Sequence, residues 1–257
     1  MSKQLEYHYH TRLAFSDSVS SHSFLLRCTP VENEYQTHIR SECRINPAGN
    51  AVRAVDCFGN CVLYGFANEP HNSFEFESIG TVLLSGKYRL KEPLSRIFLY
   101  PSVYTAPDRG IKDLLNSAKL NITEPITSKV VKLTDIVYSI MKYAPNSTTT
   151  NTSAAEALMV GKGVCQDFSH ILISLCRSAG IAARYAAGFM EGEGSTHAWV
   201  EYYDDGCWLA ADPTHNRLVE SGYIKLSHGR DFDDCSIERG LFSGLATQDL
   251  QIHLSVH

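Results

Sequence analysis

The chain has 257 residues, 44% hydrophobic and 20% charged, with a formal charge of −5. That balance leaves no basic footprint for nucleic acid, and no run of ~18 apolar residues could span a membrane. The length fits about two domains. Eight cysteines follow an N-terminus (residues 1–15) that lacks the apolar core of a secretory signal, which predicts free thiols and a cytoplasmic protein.

Residues 1 to 88 read as strand after strand. Tyr35, Thr37, Ile39, Cys43 and Ile45 alternate with polar residues, as a half-buried strand does. Turns follow at Pro47–Asn50 and at Gly59-Asn60, with further strand material at Asn72–Glu77 and Ile79–Leu84. So many short strands predict a β-sandwich. His8, His10, His22 and His38 read as strand-surface residues, without partners at ligand spacing. Across the Gly59-Asn60 turn Cys57 and Cys61 point to opposite faces, which argues against joint metal ligation. Residues 89–107 lose all period, and Pro93, Pro101 and Pro107 predict a linker draped over the surface.

A second domain is expected over 108–257. Helices are predicted at Ile111–Ala118 and Lys129–Tyr143, followed by a polar loop, Asn146–Thr152. Ser153 and Glu156 have capping-box spacing, and Gly161 sits where a short helix would end. The next helix, Cys165–Ala179 stopped by Gly180, carries a buried stripe: Phe168, Ile171, Leu172, Leu175, Cys176 and Ala179. Cys165 lies in its first turn, where free N–H groups and the positive end of the dipole favour a thiolate. His170, five residues on, reads as a packing or surface histidine.

Asp205-Gly206 signals a two-residue hairpin turn. With that register Asp204 faces Cys207, Tyr203 faces Trp208, Trp199 faces Asp212 and His197 faces Thr214. His197 and Asp212 then share one face of the sheet within side-chain reach, whereas a one-residue slip would separate them. His215 is a rival for the role of base, placed past Pro213 and the strand end. Strands are predicted at Gly222–Leu226 and Leu250–Val256, around an acidic loop at Asp231–Asp234 that lacks the ligand order of a calcium loop.

A cysteine at a helix start, a histidine and a carboxylate that orients it form the acyl-transfer constellation. Gly163–His170, Gly180–Tyr185, Gly192–Tyr203 and Ala211–Asn216, in that order, resemble the bacterial branch of the transglutaminase-like cysteine peptidases. The first 88 residues, most recognisably Asp56 with Gly59-Asn60, resemble the β-domain that precedes such cores. The resemblance implies an α+β fold: a papain-like, transglutaminase-like catalytic domain with the cysteine helix packed on an antiparallel sheet, behind an N-terminal all-β sandwich domain.

It also implies Cys165 as nucleophile, His197 as base and Asp212 as the orienting carboxylate, acting on peptide or protein amides through a thioester. Neither a cofactor nor a resident metal is expected, and hydrolysis is expected over amine transfer: the branch resembled is peptidase-like, the stretch past Asn216 shows no additional domain to build an amine tunnel, and the β-domain need not reach the cleft. The Cys165 N–H is the first oxyanion donor, with Gln166 or Tyr143 as guesses for the second. A non-catalytic binding protein on this fold and a zinc site formed by the same three side chains are the alternatives.

Overall fold

A computed structural model describes residues 2–192 and 194–257; Glu193, inside the Gly192–Tyr203 motif, lies outside them. Five strands come first: β1 (Lys3–Leu26), β2 (Gln36–Asn46), β3 (Asn50–Val55), β4 (Cys61–Ala67) and β5 (His71–Leu84). Helices α1 (Arg109–Ser117) and α2 (Ile126–Ile140) follow, then β6 (Lys142–Tyr143), α3 (Ala154–Val160), β7 (Lys162–Gly163) and α4 (Cys165–Ser178). The remainder is β8 (Ala183–Met190), β9 (His197–Asp204), β10 (Cys207–Asp212), β11 (Arg217–Leu218), β12 (Tyr223–Gly229), α5 (Phe232–Cys235), β13 (Glu238–Ser243) and β14 (Gln248–Val256). None of these helices is long and apolar enough to cross a membrane.

β1 is the spine of the first sheet. Leu5, Tyr7, Tyr9, Thr11, Leu13 and Phe15 alternate inward along its first half and are buried. The register breaks between Ala14 and Val19, and the strand then changes partners. Its first half pairs with β5 and β14, its second with β4 and β13. The result is one curled antiparallel sheet of seven strands.

Two predicted strands, 72–77 and 79–84, are thus one strand, β5. The last twenty residues return to the first sheet instead of completing the second unit, because β13 and β14 satisfy the two edges of β1 that β4 and β5 leave open.

The second sheet runs β11-β10-β9-β8-β12. Its one face packs on the curled sheet, with Phe189 against Tyr7 and Tyr9 at ring-centroid distances of 5.4 and 5.1 Å. Its other face packs on the helices through Ala198, Val200 and Tyr202 of β9 and Ile171, Leu172 and Leu175 of α4. Helices, five-stranded sheet and curled sheet make three layers, an α+β architecture with an all-β N-terminal region.

α4 is buried all round, not along one stripe. Phe168 to Ala would cost about 3–5 kcal/mol at such a site. Arg177 on this helix donates to the carbonyls of Phe98, Ala183 and Arg230 and to Thr105 Oγ1 at 2.7–3.2 Å. The segment predicted to drape over the surface is therefore built in. Phe98 is buried, and Leu90 exchanges backbone hydrogen bonds with Trp208 at 2.8 and 3.0 Å.

Candidate active site

Three local devices place Cys165. Ser153 and Glu156 close the predicted capping box on α3, and Gly161 ends that helix at φ 67°. The chain then turns into α4, and Asp167 fixes the turn: its carboxylate accepts from the Val164 N–H and from Thr148 Oγ1, each at 2.7 Å. Gly163 is required here, because a Cβ would meet Asp167 Oδ2 at 2.4 Å. Cys165 becomes the first helical residue, half-buried, its N–H ahead of the first intrahelical bonds.

The hairpin has the predicted register. Asp205 and Gly206 turn at φ 47° and 75°, both positive as a type I′ turn requires, and Asp204 pairs with Cys207 and Tyr203 with Trp208. His197 opens β9 and Asp212 closes β10, so their side chains meet: His197 Nε2 lies 2.8 Å from Asp212 Oδ2. The Cys165 thiol acts on this imidazole as well, helping Asp212 to raise its pKa.

Asp212 is fully buried and holds more than one histidine. His215 Nδ1 reaches Oδ2 at 2.8 Å, Tyr223 Oη donates to it at 2.6 Å, and the Thr214 and His215 N–H groups donate to Oδ1 at 2.9 and 3.2 Å. Tyr223 is held in turn by Arg217 Nε and NH2 at 3.0 and 2.8 Å. Burial opposes charge on Asp212, but the bonds from His197, His215 and Tyr223 outweigh it and hold its carboxyl well below the usual range. Burial likewise opposes charge on His197, yet Asp212 and Cys165 raise it from 6.5 to about 10. The ligand atoms of His197, Asp212 and His215 lie within 4.8 Å of one another, a spacing that a divalent ion could bridge.

Cys165 and His197 line a cleft of about 710 Å³. A second cavity of about 330 Å³, on the His215 side, shares Tyr143, Cys165, Thr196 and His197 with it. The far wall of the cleft is Tyr9 and Thr11 of β1, Leu250 and Ile252 of β14 and the 232–239 segment. The N-terminal sheet thus does reach the cleft. Gln166 Nε2 donates to Thr150 O at 3.0 Å, whereas Tyr143 stands where the two cavities meet.

Other expectations change with burial. Asp231, in the predicted acidic loop, is buried and caps α5, its Oδ1 accepting from Asp233 N at 2.9 Å. His170 is a packing residue, stacked on Tyr104 and accepting from the Phe232 N–H at 3.1 Å. His22 is buried against Phe74, and His8 finds a carboxylate across the sheet, Glu77 at 2.7 Å. Tyr223, Arg217 and Asp167 escaped the sequence reading. The glycine two residues before the cysteine was the available hint for Asp167; nothing local marks the other two.

Residues 113–213 match the family described as the transglutaminase-like superfamily, and residues 5–83 match the bacterial transglutaminase-like N-terminal region. A crystal structure named "Putative Cysteine Protease from Cytophaga hutchinsonii" superposes with a TM-score of 0.79 at 24% identity, covering 100% of this chain and 92% of that one. An uncharacterized protein of Mycobacterium leprae is 28% identical over 256 residues, 90% of each chain. Another, of Mycobacterium tuberculosis, is 27% identical over 271 residues, 90% of this chain and 85% of its own. The chain thus carries a transglutaminase-like core, preceded by a bacterial transglutaminase-like N-terminal region.

Proposed function

We propose that the protein is a cysteine-dependent acyl-transfer enzyme acting on peptide-like amides, with water as the main acceptor. The observation that carries this is that Cys165 and His197 line one cleft while His197 is bonded behind it to the buried Asp212 at 2.8 Å.

Cys165 Sγ attacks the amide carbon, and its proton resides on His197 Nδ1. Asp212 fixes the tautomer by accepting from Nε2 and stabilises the imidazolium. The oxyanion is met by the Cys165 N–H at the helix start, with the Tyr143 hydroxyl as second donor. His197 then protonates the leaving amine, a thioester remains, and water attacks it with His197 as base.

Amine transfer is the second reading, and the cavity on the His215 side favours it, because an amine could approach the thioester from there while the acyl chain fills the cleft. One experiment separates the two. A panel of peptide amides is incubated with the protein and millimolar primary amine, acid-quenched, and resolved by mass. Hydrolysed product with a trapped Cys165 thioester is expected. Predominant amine conjugate would make the protein a transferase, and turnover that survives Cys165→Ala would refute both readings.

A further inference from the structure

Glu238 opens β13, and its backbone pairs with Leu26 of the curled sheet. Its side chain lines the same cleft as Cys165 and His197. Among the described residues its half-buried carboxylate makes neither a hydrogen bond nor an ion pair. Arginines on the adjoining segments are engaged elsewhere. Arg239 NH2 holds Asp233 at 2.7 Å, Arg230 Nε holds Asp234 at 2.8 Å, and Arg27 is divided between Asp56 at 3.3 Å and the Ser236 carbonyl at 3.0 Å.

The strand does not need this acid, since pairing to Leu26 runs through the backbone. Burial pushes the Glu238 carboxyl up to about 7, so a cation arriving beside it would recover lost charge stabilisation. Two more features point to a long cationic side chain. Leu250 and Ile252, on the same cleft, are 52% and 44% exposed and offer an apolar track for an alkyl stem. Among the described residues of that wall the one cation, Arg239, is already paired with Asp233.

We propose that Glu238 is a specificity residue that selects amide substrates carrying an ammonium or guanidinium group, its stem lying on Leu250 and Ile252. This rests on the acyl-transfer reading of Cys165 and names the substrate class for it.

The test compares two matched peptide amides, one with lysine and one with norleucine. A charge-assisted contact of this kind predicts a kcat/KM ratio of about tenfold or more for lysine. The ratio should fall toward one in Glu238→Gln, and Glu238→Lys should shift preference toward a glutamate-bearing amide. A ratio near one in the native protein, or one unchanged in Glu238→Gln, overturns the proposal.

The same pair titrated onto Cys165→Ala by calorimetry gives a readout that needs no chemistry. The lysine peptide should bind about tenfold tighter, and the advantage should vanish on adding Glu238→Gln. Charge-selective binding without Cys165-dependent turnover of either peptide would sink the reaction reading while leaving the Glu238 contact with the cationic group intact. Binding without charge preference would do the reverse. Circular dichroism melting confirms that each variant is folded.

Discussion

Glu201 and Asp212 sit on the same face of the same sheet, are both fully buried, and each gathers three side chains, yet the two sites differ in kind. Glu201, mid-strand in β9, is bonded by Arg184, by Lys225 at 2.8 Å and by Tyr88. Two of those partners are cations, and Arg184 is further closed in by Glu92 at 2.7 Å and the Trp208 ring at 4.1 Å. Asp212, at the end of β10, is bonded by His197, His215 and Tyr223, none a fixed cation. The difference lies in the partners' freedom to move a proton. A carboxylate saturated by guanidinium and ammonium is a structural tie. One saturated by imidazoles, one of which touches a cleft, can support proton transfer.

Asp212→Asn separates the two most sharply. The amide can donate to His197 and favour the wrong tautomer, and the comparable change in serine proteases costs about 10⁴ in turnover. We expect a loss of that order in steady-state amide turnover with an unchanged circular dichroism spectrum. Near-normal rates in Asp212→Asn alongside abolition in His215→Ala would give the base role to His215.

Glu201→Gln should do the opposite. It leaves Lys225 buried without a counter-charge and Arg184 with Glu92 alone, and breaking a buried pair in this way costs about 3–5 kcal/mol. The denaturant midpoint should drop accordingly, while the folded fraction keeps its turnover per molecule. A midpoint within error of the native protein would show that the Glu201 cluster is no tie.

Titration sharpens the contrast. His197 is raised to about 10 from an ordinary 6.5, since Asp212 and Cys165 outweigh burial. A raised histidine contributes stability that is complete below about 6.5 and is lost as pH rises through about 10. The stability gap between the native protein and Asp212→Asn should therefore shrink between pH 6.5 and 10. Imidazole NMR should show the His197 midpoint moving down in Asp212→Asn, where less opposes burial. A midpoint that stays put would remove Asp212 as the source of the shift.

The parts of this arrangement written in short stretches of chain could be read in advance. The Ser153–Glu156 box, Gly161 and the Asp205-Gly206 turn are local chemistry; they lead the chain toward the helix start at Cys165 and put His197 on the same face as Asp212, while Asp167 fixes the turn itself. What lay out of reach depends on distant pairing. Tyr7 opposite Val256 and Leu26 opposite Glu238 join the two ends of the chain, and no periodicity announces such partners. Hence the sheet wall of the cleft, and Glu238 on it, came only with the structure. Tyr223 was legible as strand and invisible as a donor, because its hydroxyl reaches Asp212 across β8 and β9, from the opposite side of the sheet order β10-β9-β8-β12.

Tyr223 also gives the smallest effect and the finest comparison. Burial and the neighbouring Asp212 charge push its hydroxyl pKa up, so it stays a donor at any working pH. Tyr88 is its counterpart on Glu201, also raised by burial first and then by the carboxylate. If the two sites differ as argued, Tyr223→Phe removes one of three restraints on a working carboxylate, and Tyr88→Phe one of three on a tie. Each loses a hydrogen bond to a charged group, worth about 1.5–3 kcal/mol. For Tyr223→Phe we expect kcat to fall about tenfold with KM unchanged, as for a group that positions the base without touching substrate. For Tyr88→Phe we expect a lowered melting temperature and unchanged kcat. Steady-state kinetics beside thermal melts read both, and equal kcat losses in the two variants would erase the distinction.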